Sequence, residues 1–268
     1  MFVSVVMRDF SLTIYTELLH ALKLAGYSFY TFEDWCDGHA RGRFVILRHD
    51  VDLKAENSLA TARIEAELGI RASYYFRVVP QSNQPEMIRA IANLGHEIGY
   101  HYEDLSLFNG DVEKSIEHFK TQLVYFRQFY PVRTICMHGS PTSKWDNKDL
   151  WNSYNYRDYD IVGEPYFDFL NNETVLGLHY LTDTARMWDG DNYNVRDKRK
   201  NSDKDTHHTQ IHSTTDFINW LGSKPTTDIL MITTHPQRWT NNTNQWLTEL
   251  VMQTLKNAVK RLIIIGRF

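Results

Sequence analysis

The stretch FVILRHDVD, residues 44–52, joins a buried strand to a group of chemically active side chains. Its first four residues are apolar without interruption, which is typical of a strand that is covered on both faces in a parallel sheet. The next five contain an arginine, a histidine and two aspartates. Because parallel α/β proteins build their sites beyond the carboxyl ends of the strands, this stretch predicts both the fold class and the place of a site.

Short apolar runs alternate with helical segments on both sides of this stretch. The sequence predicts strands at 72–76, 97–100, 134–137 and 229–233 and helices at 12–25, 55–68, 85–94, 111–129, 214–221 and 245–261. Additional strand candidates are 161–162, 166–169, 178–181 and 263–265, and residues 190–209 are predicted as a long polar loop. This alternation implies a parallel sheet with right-handed crossovers.

We therefore expect an α/β protein, a distorted (β/α) barrel with about seven parallel strands. Residues 1–268 are predicted to form a single domain, with residues 1–43 as an N-terminal helical extension packed on the barrel. A chain of 268 residues can bury a substantial core without disulfides.

Composition bounds the class of partner. The net charge of −4, without a long basic run, argues against nucleic-acid binding. No stretch approaches the ~20 apolar residues of a membrane span. The first ten residues lack the pattern of a signal peptide, and two isolated cysteines do not make a secreted-type disulfide framework. We expect a soluble, cytoplasmic protein.

Asp50 and Asp52 are the first candidates for chemistry. Residues two apart in an extended segment face the same side, and two carboxylates placed so closely repel each other unless a cation or proton separates them. As an alternative, Asp52 could cap the following helix. Capping explains one aspartate, whereas a metal site explains both.

Three histidines also follow predicted strands. His101, His138 and His235 come at the ends of the strands at 97–100, 134–137 and 229–233. A single histidine is more often a hydrogen-bonded structural residue than a ligand. Three at one edge of a parallel sheet favour a shared centre, and the near-neutral pKa of histidine suits proton transfer.

The order of these motifs resembles the polysaccharide deacetylases of the NodB-homology type. The matching stretches are RHDVD at 48–52, GHEIGYH at 95–101 and TH at 234–235. The WbmS-like deacetylases of O-antigen biosynthesis are the most similar subset. They have motifs that resemble residues 137–141, 180–184 and 235–239. The resemblance implies a metal-dependent hydrolase that removes an N-acetyl group from an amino sugar. It implies Asp50 as general base, Asp52 and His101 as metal ligands, and His235 as general acid.

The chain departs from the family pattern at Leu105, where a second metal-binding histidine is usual. His138 is our candidate for the third ligand, with Asp104 as its competitor and Glu103 as a weaker one. One divalent metal is implied. Mixed nitrogen and oxygen ligands suit Zn²⁺, and iron, cobalt or nickel would also fit.

Several cationic and aromatic residues are candidate substrate contacts: Arg48, Arg186, Arg238 and Trp239. The expected substrate is an acetylated amino sugar on a nucleotide or lipid carrier, in surface-polysaccharide biosynthesis. Two alternatives remain open. One is an inactive carbohydrate-binding or scaffolding protein on a deacetylase fold, and the other a metal hydrolase of a different bond, such as a cyclic amide.

Overall fold

The structure, a computed structural model, describes residues 8–190, 196 and 211–265, with side chains up to residue 259. In this part of the chain the strands are β1 (Ser28–Tyr30), β2 (Phe44–Val51), β3 (Ser73–Phe76), β4 (Glu97–Tyr102), β5 (Ile135–Met137), β6 (Leu178–Thr182) and β7 (Ile229–Thr234). The helices are α1 (Leu12–Leu24), α2 (Phe32–Cys36), α3 (Ala55–Glu67), α4 (Pro85–Asn93), α5 (Asp104–Leu107), α6 (Val112–Phe126), α7 (Thr214–Gly222) and α8 (Thr243–Ile265).

All strand pairs in the sheet are parallel. Six strands follow the order β5-β4-β3-β2-β7-β6, and β1 pairs with the first half of β2. The sheet curls into a half-barrel flanked by helices. The prediction of a distorted (β/α) barrel with about seven parallel strands is confirmed. Because every strand runs the same way, their carboxyl ends share one edge.

Strand β2 separates two polar groups on opposite faces. All eight of its residues are buried. Side chains alternate along a strand, so Arg48 and Asp50 share one face while His49 points to the other. There His49 Nε2 lies 2.8 Å from Oε1 of Glu65, a fully buried residue of α3. The hydroxyl of Tyr74 donates to the other oxygen of Glu65 at 2.8 Å.

Four local predictions differ from the structure. The strand candidate at 161–162 is not part of a strand. Within the predicted helical extension, residues 28–30 form strand β1, which joins the sheet beside β2. Residues 166–169, a strand candidate, lie in the π-helical turn Pro165–Leu170, where the side chain of Glu164 accepts from two backbone N–H groups. Residues 263–265 continue helix α8 and form no strand. Most of the predicted loop at 190–209 lies outside the described residues.

No helix in the described part of the chain combines the length and apolar character needed to cross a membrane.

Candidate functional site

Asp50 is held by an arginine from its own strand. Arg48 Nε donates to Oδ1 of Asp50 at 2.9 Å, and Nη2 donates to Oδ2 at 2.7 Å. Nη2 also donates to the hydroxyl of Tyr166 at 2.9 Å. Burial alone would raise the pKa of Asp50, but the guanidinium of Arg48, together with His101 and His235, outweighs burial and holds this pKa below its usual value. Asp50 is therefore an ionised carboxylate at neutral pH.

Asp52 lies just beyond β2, between two imidazole rings. Its Oδ1 is 3.7 Å from Nε2 of His101 and 3.6 Å from Nε2 of His138. These distances exceed a hydrogen bond, and Oδ1 is buried without a hydrogen-bond partner. Two ligand atoms of a tetrahedral zinc, each about 2.1 Å from the ion, lie roughly 3.4 Å apart. Both distances from Asp52 Oδ1 are therefore close to the separation of two ligand atoms on one zinc ion.

The alternative role for Asp52, as a helix cap, is not what the structure shows. The residue that precedes helix α3 is Lys54, in a left-handed conformation, and no side chain caps this helix. The second oxygen of Asp52 faces the opposite wall of the site. It lies 3.4 Å from Nε2 of Gln237, which donates to it, and 4.0 Å from Nε2 of His235.

Acceptors behind the rings fix which nitrogen of each histidine carries the proton. Nδ1 of His101 lies 2.9 Å from the carbonyl oxygen of Cys136, and Nδ1 of His138 lies 2.9 Å from Oε2 of Glu103. Since carbonyl and carboxylate oxygens only accept, both Nδ1 atoms are the donors, and in the neutral rings each Nε2 keeps its lone pair. Metal-binding histidines have this arrangement, with the far nitrogen bonded to an acceptor.

The charges at the site combine a neutral imidazole, that of His101, with ionised acids. Burial lowers the pKa of His101 to about 4, so its ring is neutral at pH 7. Burial would raise the pKa of Asp52, but the rings of His138, His235 and His101 outweigh it and lower that pKa below its usual range. A buried carboxylate that faces neutral nitrogen lone pairs is stabilised by a cation between them.

His235 is oriented by Asp183, which follows strand β6. Nδ1 of His235 donates to Oδ1 of Asp183 at 2.6 Å, and the backbone N–H of His235 donates to Oδ2 at 2.9 Å. Arg238 and the indole N–H of Trp239 donate to the same carboxylate. Burial would raise the pKa of Asp183, but Arg238 and His235 lower it to about 2. Asp183 is therefore a buried anion that turns Nε2 of His235 towards Asp52.

One set of side chains in the described part of the chain is spaced closely enough to hold a metal ion, and a second candidate set overlaps it. Asp50, His101 and Cys136 are buried, and their potential ligand atoms lie within 4.8 Å of one another. Asp52, His101 and His138 form the second set, through the distances given above. Asp50 is the poorer ligand of the two aspartates because both of its oxygens accept from Arg48. Asp52 has the oxygen without a donor.

The competing candidates for the third ligand have other partners. Asp104 is fully buried and accepts from the hydroxyl of Tyr100 at 2.9 Å and from Nδ1 of His118 at 2.6 Å. Glu103 accepts from Arg77 through both oxygens, at 2.9 and 2.7 Å, as well as from His138. Of these three candidates, His138 is the one whose Nε2 lies close to Asp52, at 3.6 Å from Oδ1.

A cavity of about 490 Å³ opens at the carboxyl edge of the sheet. The candidate catalytic and metal-binding residues all line it: Asp50, Asp52, His101, His138 and His235. Tyr166, Arg77, Gln237 and residues of helix α8 contribute to its walls. The structure therefore brings together every residue that the sequence analysis assigned to catalysis or metal binding.

The predicted substrate contacts are placed differently. Arg48 is fully buried beneath Asp50, and Trp239 is fully buried against Phe10 and Tyr15, so neither lines the cavity. Arg186 packs its guanidinium over the rings of Phe10 and Trp246, also outside the cavity. Arg238 does line the cavity, but it donates to Asp183. The sequence shows that these residues are charged or aromatic. It does not show that their side chains are packed against other residues and so do not face a substrate.

Sequence reasoning missed three residues that organise the site: Asp183, Gln237 and Arg77. Asp183 and Arg77 each follow directly after a strand, β6 and β3, so the rule that selected Asp50 could also have selected them. Gln237 gives no such signal, because an isolated glutamine next to a proline is common in turns.

No protein-family model matches this chain, and no curated protein matches it.

Proposed function

We propose that this protein is a metal-dependent hydrolase that removes an acyl group from an amino sugar. The observation that carries the proposal is the surroundings of Asp52. A buried carboxylate oxygen without a hydrogen-bond partner faces Nε2 of His101 and His138, and both rings are fixed through Nδ1. Asp50 and the Asp183–His235 pair line the same cavity on either side.

Asp52, His101 and His138 would hold one divalent cation, for which Zn²⁺ suits the one-oxygen, two-nitrogen donor set. Such an ion supplies Lewis acidity, which polarises a carbonyl and makes water more acidic. Asp50, kept ionised by Arg48, would accept a proton from the attacking water. His235, held by Asp183, would give a proton to the departing amine nitrogen. Water adds to the acyl carbon, the carbon–nitrogen bond breaks, and a carboxylate and an amine are formed.

The amino-sugar substrate is supported by the resemblance of residues 48–52, 95–101 and 234–235 to the polysaccharide deacetylases. A role in surface-polysaccharide biosynthesis, in the cytoplasm, is part of the same proposal. The cavity, at about 490 Å³, has room for a sugar unit.

The test couples metal content to turnover. Purified protein, reconstituted with zinc, is dialysed, and its metal is measured by mass spectrometry. Acetate release is then followed with a panel of acetamido sugars on nucleotide and lipid carriers. We expect one zinc per chain, with loss of zinc in Asp52→Asn and loss of acetate release in Asp50→Asn. Asp111→Asn, at the exposed cap of helix α6, is the matched control and should change neither.

Stoichiometric zinc without acetate release from any of these sugars would refute deacetylation and leave a metal-binding protein. Absence of zinc together with equal stability of the wild type and Asp52→Asn would refute the metal centre itself.

A further inference from the structure

Helix α8 buries polar side chains and exposes apolar ones. Of its side chains in the described part of the chain, the two buried ones are Glu249 and Gln253. Six large apolar side chains on the same helix are exposed: Leu247, Leu250, Val251, Met252, Leu255 and Val259. A helix on a protein surface normally turns its apolar stripe to the core, so this reversed pattern indicates that the apolar face serves binding.

Part of this apolar face belongs to the cavity that holds the candidate catalytic residues. Met252, Leu255 and Val259 line that cavity together with Asp52 and His235. A ligand that fills this cavity down to Asp52 therefore also contacts the apolar side of α8. From residue 252 to residue 259 the helix rises by about 10 Å, at roughly 1.5 Å per residue, which matches the length of an extended chain of about eight carbons.

The depth of the groups decides which part of a substrate meets the helix. Asp50 and His101 are only 4% and 2% exposed at the bottom of the cavity, whereas Leu255 and Val259 are 57% and 54% exposed at its rim. The reacting acyl group must reach the deep carboxylates. The rim of α8 then meets the part of the substrate that is farthest from the reacting bond and extends towards solvent.

We propose that Met252, Leu255 and Val259 bind a hydrocarbon chain attached to the sugar, so that the substrate is a lipid-linked amino sugar. This inference rests on the proposed function for the position of the reacting group. It goes beyond that function because it selects the lipid carrier over the nucleotide carrier. The chain lies along α8, and the sugar lies deeper, at Asp50 and Asp52.

Binding is measured by calorimetry on the zinc-reconstituted full chain in the Asp50→Asn background, so that turnover does not consume the ligand. The two probes are methyl and octyl 2-acetamido-2-deoxyglucoside, both below the critical micelle concentration. Since each buried methylene contributes about fourfold in affinity, partial burial of the octyl chain should tighten binding by roughly 10- to 100-fold.

Helix α8 offers a matched control on the same surface. The double variant Leu255→Ser/Val259→Ser removes the apolar rim of the cavity. Leu247→Ser/Val251→Ser removes exposed apolar residues with the same spacing that do not line the cavity. The measured quantity is the ratio of the affinity for the octyl glucoside to that for the methyl glucoside. We expect the first double variant to lower this ratio by at least about tenfold, and the second to leave it unchanged.

Four results would overturn the inference. Equal affinity for the two glucosides would show that no chain site exists. An equal effect of the two double variants would show unspecific adhesion to the helix. A gain with an N-octanoyl sugar but not with the octyl glucoside would assign the apolar rim to the acyl group. Light scattering that shows a dimer, dissociated by Leu255→Ser/Val259→Ser, would make the face an interface between copies.

The chain site and the proposed function fail in different ways. Octyl-dependent binding without acetate release in the wild type leaves the hydrocarbon site in place and refutes deacetylation. Acetate release from both glucosides with the same KM supports deacetylation and refutes the hydrocarbon site.

Discussion

Glu103 fixes the orientation of the His138 imidazole through the nitrogen that faces away from Asp52. It accepts from Nδ1 of His138, and Arg77 donates to both of its oxygens. Burial would raise the pKa of Glu103, but His138 and Arg77 lower it to about 2, so the carboxylate is ionised. An ionised acceptor fixes the ring and makes the opposite nitrogen a better ligand.

We predict that Glu103→Gln weakens zinc binding by about 10- to 100-fold without removing a ligand, because an amide is a weaker acceptor for Nδ1–H. Competition with a chelating dye measures the affinity. Asp104→Asn changes the neighbouring carboxylate, which bonds to Tyr100 and His118 and does not line the cavity, and should leave zinc affinity unchanged. The opposite ranking of these two variants would identify Asp104 as the residue that supports the metal.

Asp183 has the corresponding role for His235. We predict that Asp183→Asn lowers kcat by at least about 100-fold with little change in KM, because an amide can hold the ring in the wrong tautomer. Steady-state kinetics across pH measure both parameters. Zinc content should be unchanged, since Asp183 bonds to His235, which is not a proposed zinc ligand. A loss of zinc equal to that of Asp52→Asn would contradict a positioning role.

At the scale of residues, the sequence identified the candidate residues that line the cavity but not the side chains that hold them in place. Asp50, Asp52, His101, His138 and His235 could be found because each follows a recognisable apolar run. The partner of His235 is 52 positions away, in a segment where strands could only be proposed as candidates. Arg48 was mistaken for a substrate contact because its charge does not reveal that its guanidinium is buried.

At the scale of elements, strand β2 is joined to helix α3 by a buried carboxylate. Glu65 lies next to His49 and accepts from Tyr15 and Tyr74, so its removal takes away one partner from each of three buried polar groups. We predict that Glu65→Ala lowers the free energy of unfolding by about 3–5 kcal/mol, as measured by urea denaturation. Glu67→Ala, at an exposed position of the same helix, should change it by less than about 0.5 kcal/mol. Equal effects would show that the buried cluster adds nothing to stability.

Predicted elements failed where the apolar pattern was ambiguous or missing. The isoleucines at 263–265 resemble a buried strand, and with residue 262 they form an apolar run of four, as long as that at 44–47. A run of this length does not by itself distinguish a strand from the end of an apolar helix. Residues 28–30 carry no alternating pattern, and they form a strand because β2 offers them a partner. The apolar runs at 44–47 and 229–233 were identified correctly, and both belong to strands that are buried almost throughout.

At the scale of the whole molecule, stability should depend on two buried acids. Burial raises the pKa of Glu97 to about 7, although Ser73 and Thr134 donate to it and lower the pKa in part. Burial raises the pKa of Glu164 to about 7 as well. Because a folded-state pKa above the ordinary 4.5 favours the protonated form, the stability that each acid contributes is complete below about pH 4.5 and is lost as pH rises through 7.

We predict that the difference in unfolding free energy between the wild type and Glu97→Gln changes by about 3 kcal/mol between pH 5 and pH 8. The wild type loses relative stability at the higher pH, where it must bury a charge that glutamine lacks. Urea titrations of both proteins across this range measure the change, and the contributions of the histidines cancel in the difference. A difference that does not vary with pH would place the pKa of Glu97 near its ordinary value.

Strand β2 carries Arg48 and Asp50 on the face towards the cavity and His49 on the opposite face. The register of this strand therefore determines both the internal polar pairs and the residues that line the cavity. Because side chains alternate along the strand, a shift of its register by a single residue would turn Arg48 and Asp50 towards Glu65 and bring His49 into the cavity. That misaligned form would lose both its internal polar pairings and the carboxylate of Asp50 that lines the cavity. A folded form with β2 in the wrong register is therefore disfavoured. Molecules that remain folded under denaturing conditions should have Asp50 correctly placed in the cavity.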